Sequence, residues 1–515
     1  MKKEIWKNYA DIPQNTLFMM DTPMRYFFEV WPKIGLGNKL YKYFTHLKGD
    51  ESQMVFPVDS FNAQAELIAN KMLKNPDWGL KTIKTVEESC KAFLKETKAV
   101  KKLNLKKMTK AQIISLLKKL SKNHSIHHGL GAGVSWMADA DKERVTKGIM
   151  KKIEKKLEQS AVKKSLPEIF ALLTTPTKES QMETEEKNFL KIAAFISSKN
   201  KLKRTFIQAD LDDLTDNIKN LDAELFKMIN RHYYVFAPFT YQYRGPAYPL
   251  SDYLGRWQAF LRDGSSATNN IKKIDQRRQK IKAEQIQMIK ELKLSLLEKK
   301  LIKMAQEMVF IKDFRKNTLY QAMFYYEYIF KEIGRRLHVS VGQIQYLRLR
   351  EIFNALNSGE VDTDLLNQRK VECIDYWYKK NGRSFCETLV GKKAKDFLKK
   401  INWQKTVAKR NKLTGTCAYP GKVSGTVKVI NVPQQMSKMK PGDIMVAHNT
   451  NPNLVPAMKK AKALVSGAGG LTCHTAIVAR EMQVPCVVGA ENCDRILKDG
   501  DQVEVDATNG IIKKI

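Results

Sequence analysis

The stretch GGLTCHTAIVARE, Gly469 to Glu481, sets His474 between paired glycines and an apolar run with helical spacing. A β-type run, KALVSG, leads into the glycines, and Pro485 turns the chain back toward another, PCVVG. Strand, glycine turn, helix and strand frame an anion site. With Thr472 as the N-cap, the backbone N–H groups of Cys473, His474 and Thr475 are left unpaired in the first helical turn. The positive end of the helix then favours a phosphoryl group on His474. A neutral imidazole, with an ordinary pKa of ~6.5, is a nucleophile near neutral pH. Gly469 and Gly470 let a bulky donor come close to the backbone. Arg480 offers charge compensation for phosphate or an ion pair on its helix. Cys473 is a nucleophile by type, but the sequence arranges no second histidine or acid to activate it.

The elements that must hold this histidine differ along the chain. Of 26 glycines, 10 fall in residues 415–515, and that segment carries 12 Lys+Arg against 8 Asp+Glu, so most of the formal net charge of +36 belongs to the first 414 residues. Two architectures therefore meet near residue 410. The first is read as helical: TKAQIISLLKKLSKNHSIHH, ERVTKGIMKKIEKKLEQSAVKKSL and AEQIQMIKELKLSLLEKKLIKMAQEMVFIKDF place apolar residues three and four apart, with lysines between. The second alternates β-type runs (GTVKVI, DIMVA, KALVSG, PCVVG, DQVEVDA) with two short helical stretches, NLVPAMKKA and HTAIVAREM. The expected fold is multidomain: a large, mostly α-helical region at 1–360 with a subdomain break near 125–135, a helical linker at 361–412, and a C-terminal α/β domain at 413–515.

Seven cysteines without CxxC spacing point to neither a disulfide framework nor a zinc ribbon, so reduced thiols and no metal are expected. No apolar run of ~18 residues spans a membrane and the N-terminus is too polar for a signal peptide, so a cytoplasmic protein is expected. HHGLGAGVSW, with Gly129, Gly131 and Gly133, follows a helical run and lacks the GxGxxG spacing, so it reads as an inter-helix loop rather than a nucleotide loop. His127 and His128 in that stretch are acid/base candidates by type. The aromatic NRHYYVFAPFTYQYRGPAYPLSDYL, with Arg231, His232 and Arg244, could line a substrate pocket or brace the helices.

GGLTCHTAIVAR resembles, position by position, the phosphohistidine signature of the phosphoenolpyruvate-utilising enzymes, which include phosphoenolpyruvate synthase, pyruvate phosphate dikinase and rifampicin phosphotransferase. GKVSGTVKVI, MKPGDIMVAHNTNPNLVPAMKKAKALVSGAGG and MQVPCVVGAENCDRILKDGDQVEVDATNG are similar to the rest of that family's mobile domain, about one hundred residues in all. The resemblance implies that His474 is the phosphorylated histidine and that Thr472, Gly469, Gly470 and Arg480 occupy motif positions. FRKNTLYQAMFYYEYIFKEIGRRLHVSVGQIQYLRLREIFNAL resembles the helical segment before that domain, but departs where basic YLRLRE replaces expected acids.

The family places an ATP-grasp domain before the histidine, and some members add a phosphoenolpyruvate/pyruvate barrel. The glycine-poor helical part does not resemble an ATP-grasp domain, no Walker-type loop is found, and with Ile515 directly after the mobile domain no barrel is expected. The expectation is a phosphotransferase component without its own ATP-grasp domain or barrel. It would bind no cofactor itself, with Mg and ATP, or phosphoenolpyruvate, on a separate ATP-grasp chain, and a small molecule or protein as acceptor. KTVAKRNKLTG, residues 405–415, is the expected hinge for a carrier that visits two sites. The alternatives are a non-catalytic regulatory or binding protein whose basic helices hold an acidic partner, and nucleic-acid binding by the same helices, which lacks a zinc, RRM, KH or helix-turn-helix signature.

Overall fold

The apolar spacing of the first part closes into helices whose starts are written locally. Thr109 and Gln112 form a reciprocal capping box ahead of helix Lys110–His124, and Ile113, Leu117, Leu120 and His124 share its buried face. Ser295 and Glu298 do the same for Leu296–Leu337, whose 42 residues reach about 63 Å and make it the spine of the molecule. The computed structural model describes residues 4–515 except 13, 38, 141, 405–411, 451–453, 468, 469 and 472. Most of the expected hinge, residues 405–411, therefore lies outside the described residues.

The glycine-bearing stretch is not a loop. The chain passes from helix Lys110–His124 into π-helical turns Ser125–Leu130 and Gly133–Met137. A Cβ at Gly129 would sit 2.7 Å from Tyr26, and one at Gly133 would sit 2.7 Å from Trp31. The glycines thus serve helix packing, because bare backbone lets the large rings of helix Leu17–Glu29 and its end come close. The expected subdomain break at 125–135 falls inside this continuous helical run. A separate apolar cluster is formed instead by helices between Phe189 and Ala267, around Trp257 and Phe206.

The reading of residues 361–412 as a helical linker is also corrected. Strands β1 (Trp6–Asp11), β2 (Lys42–Lys48), β3 (Glu51–Pro57), β4 (Glu372–Lys380) and β5 (Arg383–Val390) form an antiparallel sheet in the order β1-β3-β2-β4-β5. Asn381 and Gly382 turn β4 into β5 at positive φ, 50° and 72°. Asn-Gly between alternating runs is a strong hairpin signal that the lysine-rich composition obscured. Basic YLRLRE supplies Arg348, which is buried between Asp21 (3.2 Å) and Asp375 of β4 and fastens the sheet to the helices.

The C-terminal part is an eight-stranded sheet in the order β6-β13-β12-β8-β9-β10-β11-β7. Its strands are β6 (Lys412–Thr414), β7 (Thr416–Tyr419), β8 (Lys422–Val429), β9 (Ile444–Ala447), β10 (Ala463–Ser466), β11 (Cys486–Val488), β12 (Gln502–Asp506) and β13 (Ile511–Lys514). The run β8-β9-β10-β11 is parallel. Alternation divides its side chains. Ile444, Val446, Val465 and Val487 belong to this domain's own core, whereas Met445, Ala447, Leu464 and Val488 belong to the opposite face. That second face covers Ala476, Val478 and Ala479 of helix His474–Met482 and is continuous with the apolar core of the helical body. The domain is seated on the helices, histidine helix inward.

Candidate functional site

The histidine helix begins at His474 itself. Cys473 is its N-cap, with Sγ 3.5 Å from the Ala476 N–H, while Thr472 and Gly469 lie outside the described residues. Gly470 is needed for a close approach: a Cβ there would meet Oε1 of Glu143, a carboxylate from the helical body, at 2.7 Å. Glu143 accepts from Thr416 of β7 (3.1 Å), and its carboxyl is pushed up by burial and by Asp139. Body and domain thus meet directly beneath the turn that carries the histidine.

The residue that orients the imidazole is one the motif reading did not single out. Thr450 Oγ1 lies 2.7 Å from Nδ1 of His474 and 2.9 Å from the hydroxyl of Thr475. Thr450 and Thr475 are 2% and 1% exposed, so the chain of three polar groups is shielded from competing water. Nε2 is the ring nitrogen this network does not engage. Burial, and secondarily the charge of Lys316, hold the imidazole well below its ordinary pKa, so it is neutral at pH 7.

Lys316 comes from the long helix, with Nζ 3.5 Å from the Thr450 carbonyl oxygen. Lys312, one turn earlier, shares its face. Burial depresses both ammonium groups, that of Lys316 to about 8. Asp313 and Asn317 occupy the adjacent stripe and, with His474, line a cavity of about 170 Å³. Sequence reasoning passed over IKDFRKN because lysines on an amphipathic helix read as solvated. The apolar run on both sides was the available signal that this segment is buried.

The other predicted residues fall elsewhere. Arg480 lines a neighbouring cavity; its Nε donates to the Ala418 carbonyl (3.1 Å), and burial lowers its guanidinium to about 10. It makes no ion pair among the described residues. His127 and His128 are buried among the helices, with their ring pKa values driven down, and His127 Nε2 contacts the Arg315 carbonyl (3.1 Å). Arg231 is exposed, Arg244 pairs with Asp50, and His232 backs the cavity wall through Glu185 (3.3 Å). The aromatic stretch does line the His474 cavity, but through Phe236, Phe239 and Tyr248 rather than the three named groups.

All seven cysteines are free, and no group of three or more metal-ligating side chains is found among the described residues. No helix there is long and apolar enough to cross a membrane.

Residues 439–510 match the family model described as PEP-utilising enzyme, mobile domain. A probable phosphoenolpyruvate synthase of Archaeoglobus fulgidus is 51% identical over 100 residues, 19% of this chain and 13% of its own length. The phosphoenolpyruvate synthase of Pyrococcus furiosus is 48% identical over 102 residues, 20% of this chain and 12% of its own. A solved chain of Thermococcus kodakaraensis aconitase X is matched over 20% of this chain and 98% of its own, with 23% identity and a TM-score of 0.17. The matched region spans about one eighth of these curated relatives. The C-terminal part is a mobile phosphohistidine domain related to that of phosphoenolpyruvate synthases.

Proposed function

We propose that this chain is a phosphotransferase component whose mobile domain carries a phosphoryl group on His474 Nε2. It receives the group from an ATP- or phosphoenolpyruvate-binding site on a separate ATP-grasp chain and delivers it to an acceptor held against the helical body. The carrying observation is the 2.7 Å contact of Nδ1 with Thr450, in a site where Nε2 remains for chemistry beside a cavity.

In the reactive tautomer, Nδ1–H donates to Thr450 Oγ1, whose own hydrogen goes to Thr475, leaving the Nε2 lone pair for phosphorus. The imidazole becomes cationic as the N–P bond forms, and Thr450 holds its proton in place. The Lys316 and Lys312 ammonium groups offset the phosphoryl charge in a buried site where such interactions are strong. Magnesium and nucleotide belong to the partner in this reading; the side chains here position the group and balance its charge.

The test is to incubate the full chain with labelled ATP, then with labelled phosphoenolpyruvate, each with and without native extract, alongside His474→Ala. Acid-labile, base-stable label on the wild type alone, dependent on extract, is expected. Label without extract would place the donor site on this chain, and no label under any condition would overturn the carrier reading.

A further inference from the structure

The cavity beside His474 has the composition of a built ligand site. Phe236 and Phe239 of helix Ala223–Thr240 and Tyr253 of helix Leu250–Arg262 give its lining an aromatic share, and His474 and Asp313 line the same cavity. Two polar atoms in its lining are buried without a partner among the described residues: Oδ1 of Asn317, a residue 3% exposed, and the Tyr248 hydroxyl. Asn317 Nδ2 donates to Asp313 Oδ2 (3.0 Å), which fixes the amide with its oxygen free. Leaving such atoms unmet is costly, and a ligand with a donor group removes that cost.

The charge of the lining selects further. Glu185, Glu186, Asp252 and Asp313 are opposed by Arg256 and Lys459, both of which are paired, to Glu185 (2.9 Å) and Glu186 (2.7 Å) respectively, while Glu481, raised to about 8, is neutral at pH 7. An anionic acceptor would enter a wall with an excess of carboxyl groups.

Resting on the carrier reading above, we infer that this cavity is the acceptor site and that the acceptor is a neutral or cationic, ring-bearing alcohol or phenol, with Asp313 taking the hydroxyl proton. The ring lies against the aromatic lining, and the hydroxyl sits between His474 and Asp313. Its oxygen forms the new O–P bond, its proton passes to the Asp313 carboxylate, and the N–P bond breaks with its electron pair returning to Nε2. The products are a phosphate monoester and neutral imidazole, with no further reactant needed. Burial lifts the Asp313 carboxyl to about 6, a stronger base than a free aspartate and still largely ionised at pH 7.

The experiment separates this inference from the carrier reading by loading His474 chemically. The full chain is phosphorylated with phosphoramidate, and phosphohistidine loss and ester formation are followed by phosphorus NMR with 2-naphthol, tyramine or pyruvate added. The aromatic alcohols are expected to shorten the phosphohistidine lifetime at least about tenfold with ester formed, and pyruvate is not. Asp313→Asn, compared by ester formed per phosphohistidine loaded, should transfer about 100-fold more slowly. Phe239→Trp, which narrows the cavity at its aromatic lining, should weaken the acceleration per phosphohistidine loaded. Loaded protein that pyruvate discharges and aromatic alcohols do not would overturn the acceptor class alone. Ester formation at the wild-type rate in Asp313→Asn would remove Asp313 from the step. Failure of His474 to load would overturn both readings.

Discussion

At the scale of single residues, the site depends on keeping one imidazole nitrogen occupied and the other available. Thr450 does this with a hydroxyl shielded from water, so the geometry does not rely on the rotamer of His474 alone. Thr450→Val keeps the shape and removes the acceptor for Nδ1–H. Losing a hydrogen bond to a developing charge, ~1.5 kcal/mol, should slow phosphoryl loading from phosphoramidate about tenfold, with the melting temperature nearly unchanged. An unchanged loading rate would show that Thr450 is packing and not part of the chemistry.

At the scale of elements, the long helix brings two stripes to the histidine: a cationic one at Lys312 and Lys316 and a cavity-lining one at Asp313 and Asn317. The pH dependence of loading follows from the first. His474, held neutral far below pH 6.5, should show none of the rise through that pH that free imidazole shows. Lys316 loses its proton near 8, so the loading rate should be flat from about pH 6 to 7.5 and fall as the pH rises through about 8. Lys316→Arg, which stays charged, should move that fall to higher pH, and Lys316→Met should be slow throughout. A wild-type profile that rises across pH 6 to 8 would contradict the assignment.

At the scale of the whole molecule, the two parts are joined by groups whose ionisation differs when they separate. His448 of the mobile domain lies 2.6 Å from Asp11 of β1 and 3.7 Å from Asp494. Despite burial, these carboxylates raise it to about 9. Glu481, on the inward face of the histidine helix, is raised to about 8, by burial and by nearby Glu183 and Asp313, with Arg277 opposing. Both groups bind their protons more tightly in the seated state, although Asp494 belongs to the same domain as His448, so only the part of its rise owed to Asp11 depends on seating. Their contribution to seating is therefore present at low pH and is lost as pH rises, through about 8 for Glu481 and about 9 for His448. The seated form should predominate near pH 6 and give way toward pH 9.5, read as an increase in the X-ray scattering radius and faster proteolysis between the two parts. Glu481→Gln should flatten the lower part of this transition, and His448→Gln the upper. Equal scattering radii at both pH values would show that seating is independent of these protons.

The sequence by itself determined the α/β character of the C-terminal part, because alternation and glycine turns are short-range signals. The same holds for the helical spine, whose capping boxes and apolar periodicity are local, and the motif singled out His474 as the candidate that the proposed function rests on. The Asn381-Gly382 hairpin was legible too, although its lysine-rich strands read as helix and β4 pairs with β2, more than three hundred residues away. Only the tertiary structure decided what surrounds the histidine. Thr450 reaches His474 across 24 residues of the mobile domain, while Lys316, Asp313 and Glu143 come from elements folded separately in the helical body. Arg480, close to His474 in sequence, is turned by its helix toward the Ala418 carbonyl and another cavity. Spacing along a chain fixes which face of one helix a side chain occupies. Which second surface that face meets, and so which charges act on His474, is settled by packing between domains.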